Sequence, residues 1–363
     1  MPCMMNQQNI SDPISFCQDL TRNSIADALA GLLRPGDIMD RVLDRYCREL
    51  DERFRVFVST CPVPQWAPGL LVTAEMRLQY EIYLPMYEIR KALSSLCQRA
   101  CLYEPCFAAT SLFSALSWPE AVARLYPLRV PFNPARLLQQ LGNCEKLRYA
   151  FLAALFIPKS FGGGFGRYPD QSLFLYGWLS GRKERLSGKV AILDAACGSG
   201  EGTYGAAEML LQLGFSTSLS VVEGSTLEPL ELVAAAHGWF PHDRLRSVSF
   251  REKVRPLLAG GKGAMISFFQ EDLRRPVEGQ KMYDVILCNG LLGGPLLHEK
   301  KALAPVICQL AKRLNQGGII LAADHFHEGW RKRTPPADIN NLLAASGLKI
   351  MDVGEGVAAV KIE

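Results

Sequence analysis

The sequence predicts an α/β fold, a mostly parallel sheet with helices on both faces, preceded by an all-α N-terminal domain. Two observations carry this prediction. After Lys189, short β-rich runs alternate with helical runs, as repeated strand–helix–strand units require. Up to about Pro158, apolar residues instead recur at spacings of three and four, as in amphipathic helices. We therefore divide the chain into a helical domain, residues 1–158, and a second domain, residues 159–363.

The bulk composition agrees with this division and excludes some classes of protein. At 363 residues the chain exceeds the usual size of one hydrophobic core, and a hydrophobic content of 48% is ordinary for a globular protein. A formal net charge of +4 over this length is too small to indicate a nucleic-acid partner. Eleven cysteines without a C-x-x-C pair favour reduced thiols and a cytoplasmic location.

Neither secretion nor membrane insertion is expected from the sequence. The first residues, MPCMMNQQNISDP, lack the basic patch and the apolar run of a secretory signal. The apolar run at residues 149–158 is far shorter than the ~20 residues that a membrane-spanning helix needs.

Prolines divide the first half into five or six predicted helices, because proline cannot donate a hydrogen bond inside a helix and clashes with the preceding turn. The clearest helical spacing is that of Ile38, Val42, Leu43, Tyr46, Leu50 and Phe54. The glycine-rich stretch SFGGGFG, residues 160–166, marks the end of this half. Cys97, Cys101 and Cys106 have no histidine near them, so we interpret them as buried small side chains and predict no metal site.

Seven strands and four helices are predicted in the second half. The strands cover residues 190–195, 218–223, 265–270, 282–288, 318–324, 348–354 and 357–363. The helices cover residues 202–213, 226–237, 299–314 and 337–346. The last two strands follow each other directly, so we expect an antiparallel hairpin at the edge of the sheet.

The first of these strands leads into two overlapping glycine motifs, in VAILDAACGSGEGTYG at residues 190–205. Read from Gly200, the motif fits the dinucleotide pattern G-x-G-x-x-G, but that pattern places its first glycine directly after the strand, and Gly200 lies six positions beyond Asp194. Read from Gly198, the motif is typical of a loop that binds S-adenosylmethionine (SAM). The absence of G-K-[ST] excludes a P-loop. The sequence therefore favours SAM.

Acidic residues follow three of the predicted strands, where ligands of open α/β sheets bind. Asp194 closes the first strand and Glu223 the second, and we expect Glu223 to accept hydrogen bonds from the two ribose hydroxyls. Asp272, or its neighbours Gln270 and Glu271, would meet the adenine amino group. The glycines would let the backbone approach the ligand, and the helix N-terminus would face the methionine carboxylate. The predicted cofactor-binding residues are Asp194, Ala196, Cys197, Gly198, Gly200, Glu201, Gly202, Glu223, Gln270, Asp272 and Asn289.

Three segments resemble the chemotaxis-receptor glutamate methyltransferases (the CheR type). AACGSGEGTYGAA looks like the cofactor loop of that family, F-G-R-Y-P at residues 165–169 resembles its F-F-R-x-P segment, and Y-D-V-I-L-C at residues 283–288 resembles its fourth strand. The resemblance covers about residues 158–325. It implies a Rossmann-like class I SAM-dependent methyltransferase fold with a seven-stranded sheet, and a protein-glutamate O-methyltransferase that releases S-adenosylhomocysteine.

The resemblance also implies roles for two further residues, the predicted catalytic residues. Arg167 matches the arginine of the family and would steer the acceptor carboxylate, and Asn289 would contact the cofactor or the substrate. The run D-H-F-H-E, residues 324–328, is expected to line the crevice mouth, where His325 or His327 could serve as a base for a hydroxyl or amine acceptor.

Departures from the family leave the acceptor open. Residues 288–294 lack the arginine and the aromatic pair of the family, and residues 244–263 leave room for only a shortened receptor-docking insert. One alternative is a methyltransferase for a small molecule or another non-receptor substrate, and a second is a SAM-binding regulatory protein with little catalysis. The helical N-terminal domain could bind a receptor or regulatory partner.

Overall fold

The computed structural model describes residues 13–61, 73–107, 110–157, 164–275, 281–294, 296–324 and 334–362. One mixed sheet runs through it, in the order β1-β4-β3-β2-β5-β6-β8-β7. Its strands are β1 (Ser15–Cys17), β2 (Ala191–Ala195), β3 (Val221–Thr226), β4 (Ile266–Gln270), β5 (Tyr283–Leu287), β6 (Leu314–Ala322), β7 (Leu348–Met351) and β8 (Val357–Lys361).

Strands β2 to β6 are parallel, and β8 pairs antiparallel with both β6 and β7. β2 lies near the centre, with β3 and β4 on one side and β5 and β6 on the other. The predicted Rossmann-like fold with a terminal antiparallel hairpin is therefore confirmed. The chain adds β3 and β4 on one side of β2 and then returns to add β5 and β6 on the other side. This reversal of the strand order opens a crevice at the carboxyl ends of the central strands.

The prediction of an all-α first half is wrong at one element. β1 pairs antiparallel with β4, with Ser15 opposite Phe269 and Cys17 opposite Ser267, so the sheet has eight strands instead of seven. A run of three residues is too short to show the alternation on which strand prediction depends. The first half thus supplies one of the two edge strands of the sheet.

Eight helices form the described part of the first half, more than the five or six that the prolines predict. They are α1 (Arg22–Leu32), α2 (Arg41–Thr60), α3 (Ala74–Tyr83), α4 (Met86–Ala100), α5 (Ser111–Ser114), α6 (Trp118–Arg124), α7 (Pro134–Asn143) and α8 (Glu145–Phe156). Side-chain caps start several of them. Asp40 accepts hydrogen bonds from the backbone N–H groups of Val42 and Leu43, and Asn133 caps α7 ahead of Pro134.

A buried arginine in α8 joins α7 to the chain that follows α1. Arg148 is fully buried and donates to the backbone carbonyls of Leu141 and Gly142 at the end of α7, and to those of Arg34 and Gly36 after α1. Four carbonyl partners for its two terminal nitrogens offset much of the cost of burying this cation. Arg148 therefore fixes the end of α7 against the chain that connects α1 to α2.

Six described helices accompany the parallel strands. They are α9 (Pro169–Ser180), α10 (Glu201–Gln212), α11 (Pro229–His237), α12 (Arg244–Leu258), α13 (Lys300–Lys312) and α14 (Pro336–Ala345). α10, α11, α13 and α14 agree with the four predicted helices to within a few residues, whereas α9 and α12 have no predicted counterpart. A short 3-10 segment, Ala259–Met265, follows α12 and leads into β4.

The two halves share one continuous core. α1 and α8 contact α11, the backbone N–H of Asp19 donates to the carbonyl of Ala236 at 3.0 Å, and the hydroxyl of Tyr103 donates to the carboxylate of Glu228. The boundary between residues 158 and 159 stays a prediction. Among the described helices, none is both long and apolar enough to cross a membrane.

Candidate functional site

The glycine loop lies at the carboxyl end of β2. Three of its residues have left-handed backbone conformations: Ala196 with φ 63°, Gly198 with φ 55° and Gly200 with φ 85°. The N–H of Cys197 donates to the carbonyl of Ser225 at 2.8 Å, which ties the loop to the adjacent β3. Gly200 is the N-cap of α10, so the loop delivers the chain into the N-terminus of that helix.

The three glycines of the loop have different surroundings. A Cβ on Gly198 would meet no atom within 4 Å, so the backbone there faces open space. A Cβ on Gly200 would lie 2.8 Å from the Cβ of Ala235, and one on Gly202 would lie 2.8 Å from the Oδ2 of Asp194. Of the three, Gly198 is thus the one placed for the predicted close approach to a ligand. Gly200 and Gly202 instead permit close packing within the protein.

Asp194 holds the start of α10. Its side chain is buried and accepts a hydrogen bond from the hydroxyl of Thr203 at 2.7 Å. Burial raises the pKa of Asp194 to about 7, although the hydrogen bond from Thr203 favours the ionised form. The carboxyl group therefore lies beneath the first turn of α10 and positions the loop from behind.

Cys197 also supports the loop from within. A Cβ on Gly224 of β3 would lie 2.9 Å from the Sγ of Cys197, so the thiol packs against the strand. Burial raises the pKa of Cys197 well above its usual range, which keeps the thiol protonated and unreactive. Within the predicted cofactor loop, Cys197 therefore acts as a small packed side chain.

Glu201 belongs to a hydrogen-bonded cluster that includes Arg246 of α12, a residue that sequence reasoning did not identify. The guanidinium of Arg246 lies 2.9 Å from the carboxylate of Glu201 and donates to the hydroxyl of Ser199 at 2.5 Å. The hydroxyl of Ser199 in turn donates to Glu201 at 2.7 Å. The sequence leaves room for a shortened receptor-docking insert at residues 244–263, yet in the structure this segment begins with a helix that contacts the glycine loop.

Glu223 does not reach the glycine loop. Its carboxylate accepts a hydrogen bond from the hydroxyl of Tyr283 at 2.8 Å and pairs with Lys281 at 3.0 Å, both at the amino end of β5. Its neighbour Gly224 faces Thr203, so Glu223 points to the opposite face of the sheet. The structure therefore does not bring the Glu223 side chain beside the loop, where the predicted ribose contact requires it.

A second acid, Glu231, lies nearer to the carboxyl end of β3 than Glu223 does. β3 continues to Thr226, one residue beyond the partner of Ala195, and the hydroxyl of Thr226 donates to the carboxylate of Glu231 in the first turn of α11. Burial raises the pKa of the Glu231 carboxyl to about 7. The sequence T-L-E-P-L-E, residues 226–231, could have identified Glu231. Pro229 marks the start of a helix, and Glu231 follows in its first turn.

Gln270 and Asp272 lie at the carboxyl end of β4, the strand next to β3. The side-chain amide of Gln270 donates to the carbonyl of Leu227 at 3.1 Å. Burial opposes ionisation of Asp272, but hydrogen bonds from Arg274 outweigh it and keep the pKa of Asp272 below its usual value. Their neighbour Glu271 is committed elsewhere, to a buried ion pair at 2.6 Å with Arg313.

The two predicted catalytic residues are associated with α9. Asn289 follows β5 and exchanges two hydrogen bonds with the side chain of Gln171, at 3.1 and 2.8 Å, and its Oδ1 also accepts from the N–H of Ala323. Arg167 stands two residues before α9, and its guanidinium lies 5.3 Å from the ring centroid of Tyr168. Three residues that the sequence predicts at the crevice mouth lie outside the described residues. They are His325, His327 and Glu328.

Comparisons with known proteins give distant matches. No protein-family model matches the chain, and no curated protein is significantly similar to it. Among solved structures, SAM-bound CalS10, an amino pentose methyltransferase from Micromonospora echinaspora, matches with 14% identity and a TM-score of 0.35 over 53% of this chain and 90% of that chain. The sugar N-methyltransferase KedS8 from a Streptoalloteichus species matches with 17% identity and a TM-score of 0.32, over 52% and 87%. The antibiotic-resistance methyltransferase Kmr matches with 16% identity and a TM-score of 0.32, over 50% and 91%.

Proposed function

We propose that the protein is a SAM-dependent methyltransferase whose cofactor site is the crevice at the carboxyl ends of β2 and β3. The observation that carries the proposal is the left-handed loop after β2, with open space beside Gly198 and the N-terminus of α10 directly behind it. Helix N-termini favour carboxylates, and a backbone without side chains admits a ligand closely.

The residues of this crevice suit the chemical groups of SAM. The loop backbone and the start of α10 would receive the amino-acid end. Glu231, held by Thr226 near the carboxyl end of β3, would in its ionised form accept hydrogen bonds from the ribose hydroxyls, because an ionised carboxylate offers only acceptors. Leu227 and Gln270, which are hydrogen-bonded at the ends of β3 and β4, would border the adenine. When bound, SAM supplies an electrophilic methyl group on its sulfonium.

The acceptor side is organised by α9. The Asn289–Gln171 pair fixes α9 to the end of β5, and the N–H groups of Asp170 and Gln171 donate to the carboxylate of Glu355 in the β7–β8 turn, at 3.1 and 3.5 Å. The amide of Asn289 thereby has protein partners. We assign Asn289 a positioning role for α9, which would form the wall along which an acceptor approaches.

A small molecule or another non-receptor substrate is the acceptor that we favour. α12 lies against the glycine loop in the segment where a receptor-docking insert would lie, and residues 288–294 lack the arginine and aromatic pair of the CheR type. Protein-glutamate methylation is the second candidate, favoured by Arg167 at the entrance to α9. A carboxylate acceptor needs no general base, because its reference pKa is about 4.3.

Calorimetry with S-adenosylhomocysteine tests the cofactor assignment. We expect the wild-type protein to bind it, Glu231→Gln to weaken binding about tenfold or more, and the matched variant Glu223→Gln to change it less than about twofold. Absence of binding to the wild-type protein would refute the proposed function. A loss confined to Glu223→Gln would show that the ribose assignment is wrong.

Transfer of labelled methyl groups tests the acceptor. Purified protein and labelled SAM are incubated with the low-molecular-weight and the macromolecular fractions of an extract. Stable label in the small-molecule fraction is the expected result. Alkali-labile, volatile label confined to protein, and lost in Arg167→Ala, would instead favour glutamate methylation. Binding without turnover on any fraction would favour a SAM-binding regulator.

A further inference from the structure

Two ion pairs join α12 to α10, and they differ in their surroundings. Arg246 pairs with Glu201 at 2.9 Å, and both side chains are largely buried, at 12% and 16% exposed. Lys253 pairs with Glu208 at 3.0 Å, and these side chains are 43% and 33% exposed. Solvent-exposed pairs contribute little, whereas a buried pair that loses one partner leaves a charge without compensation. The first pair is therefore the one with energetic consequences.

Arg246 is held in place by its own part of the chain. Its backbone N–H donates to the side chain of Asp243, the N-cap of α12, at 3.0 Å. Its guanidinium stacks over the ring of Phe240, 4.4 Å from the centroid. A side chain that is already ordered loses little further entropy when it contacts a partner, so Arg246 can act as a rigid support.

The groups that Arg246 supports lie on either side of Gly200. One nitrogen of the guanidinium, Nη2, contacts both Ser199 and Glu201, and Ser199 donates to Glu201 to close the triangle. Gly200 has a left-handed backbone, and glycine moves easily between conformations. Without the arginine, the charge of Glu201 would also lie uncompensated near the carboxyl groups of Asp194 and Glu231, whose pKa values it raises.

We propose that Arg246 is a positioning residue that holds Ser199 and Glu201 in the conformation that receives the amino-acid end of the cofactor. This inference rests on the proposed function. The sugar end depends mainly on Thr226 and Glu231, which are hydrogen-bonded to each other, and the charges of Arg246 and Glu201 act on the pKa of Glu231 in opposite directions. Arg246 therefore determines selectivity for a ligand with an amino-acid end over one without it.

Two ligands test the two ends of the proposed cofactor site separately. S-adenosylhomocysteine has the amino-acid end, and 5′-methylthioadenosine has the same sulfur and nucleoside without it. By calorimetry, we expect Arg246→Ala to weaken binding of S-adenosylhomocysteine about tenfold or more and that of 5′-methylthioadenosine less than about threefold. Arg246→Lys should recover part of the loss. Lys253→Ala, which removes the other α12–α10 ion pair, should leave both affinities unchanged.

Equal weakening of both ligands, or no weakening of S-adenosylhomocysteine, would overturn the inference. Circular dichroism and the Tm of each variant show whether it is folded. If Arg246→Ala is unfolded, Ser199→Ala and Glu201→Gln remove the loop partners without changing α12, and the same selective loss is expected of them. A wild-type protein that binds neither ligand would refute the proposed function, whereas one that binds both ligands equally tightly would refute the inference alone.

A double-mutant cycle tests the contact itself. If Arg246 acts through Glu201, then Arg246→Ala with Glu201→Ala should weaken S-adenosylhomocysteine binding no more than Arg246→Ala alone. Losses that multiply would show that the two residues act independently, and would contradict a positioning role.

Discussion

Three largely buried carboxyl groups near the carboxyl ends of β2 and β3 have raised pKa values. Burial raises the pKa of Asp194 and of Glu231 to about 7, and that of Glu228 to about 8. Each accepts a hydrogen bond from a hydroxyl group: Thr203 donates to Asp194, Thr226 to Glu231, and Tyr103 to Glu228. Because the folded protein holds these protons more tightly than the unfolded chain does, its stability depends on pH.

Glu228 gives the clearest prediction of that dependence. Between its ordinary pKa of 4.5 and its folded value of about 8, the folded state binds more protons than the unfolded state, so the free energy of unfolding falls as pH rises. The slope from one group is at most about 1.4 kcal/mol per pH unit. We expect Glu228→Gln to match the wild-type Tm near pH ~5 and to exceed it near pH ~8.5, as measured by scanning calorimetry. Parallel Tm profiles of the two proteins would contradict the raised pKa.

The glycine loop gives a second prediction. Gly202→Ala places a methyl group against the buried carboxyl of Asp194 and should lower stability by about 1 to 3 kcal/mol. Gly198→Ala meets no atom, so its cost is the left-handed backbone, about 1 to 2 kcal/mol, while its methyl group enters the crevice. Denaturant unfolding measures the stability of each variant, and calorimetry measures its affinity for S-adenosylhomocysteine. We expect the larger loss of affinity in Gly198→Ala. Equal affinities in the two folded variants would argue that the ligand does not approach Gly198.

The loop can be located from the sequence, but its partners cannot. The predicted strand ends at Glu223, whereas β3 continues to Thr226, and a change of one position in a strand moves a side chain to the opposite face. Arg246 contacts Ser199 across a long sequence separation, and a single sequence carries no signal for such a contact. Local motifs can therefore be recognised in the sequence, whereas contacts between distant parts of the chain cannot.

At the level of elements, strands with regular alternation and helices between them are predictable, and elements without a clear pattern are not. β1 has three residues, and α12 places arginines, serines and a proline among its apolar residues, so neither shows a clean period. Both nevertheless have structural consequences. α12 supports the glycine loop, and β1 covers the edge of β4, which would otherwise expose unpaired backbone groups.

The contribution of β1 can be measured through Phe16. Its ring packs edge-on against His237 at the end of α11, with ring centroids 5.5 Å apart. We expect Phe16→Ala to lower the free energy of unfolding by about 1 to 3 kcal/mol in urea titrations, because it removes a partly buried aromatic ring. Leu219→Ala is the control, since Leu219 is exposed and its loss should cost less than about 0.5 kcal/mol. Equal small effects would indicate that β1 adds little to stability.

At the level of the whole molecule, the helical half and the sheet depend on each other. α1 and α8 pack on α11, and Tyr103 donates to Glu228 at the start of that helix. The composition and the glycine-rich stretch suggest two domains, because a single sequence does not reveal which helices share a core. The architecture of the sheet is predictable, and the coupling between the halves is not.

Truncation tests this coupling. We expect the fragment of residues 159–363 to be insoluble or to unfold at a lower Tm than the full chain, because it loses β1 and the partners of α11. Solubility, circular dichroism and S-adenosylhomocysteine binding are measured on both proteins. A fragment with the Tm and the affinity of the full chain would establish two independent domains with the predicted boundary.

The pairing of β1 with β4 has a consequence for synthesis of the chain on the ribosome. The two strands lie about 250 residues apart in sequence. At a translation rate of ~5 to 20 residues per second, β1 leaves the exit tunnel roughly ten seconds to a minute before its partner β4 does. During that interval Ser15–Cys17 has no strand to join, so the growing polypeptide depends on its early helices, or on a chaperone, to keep that segment from associating with other chains.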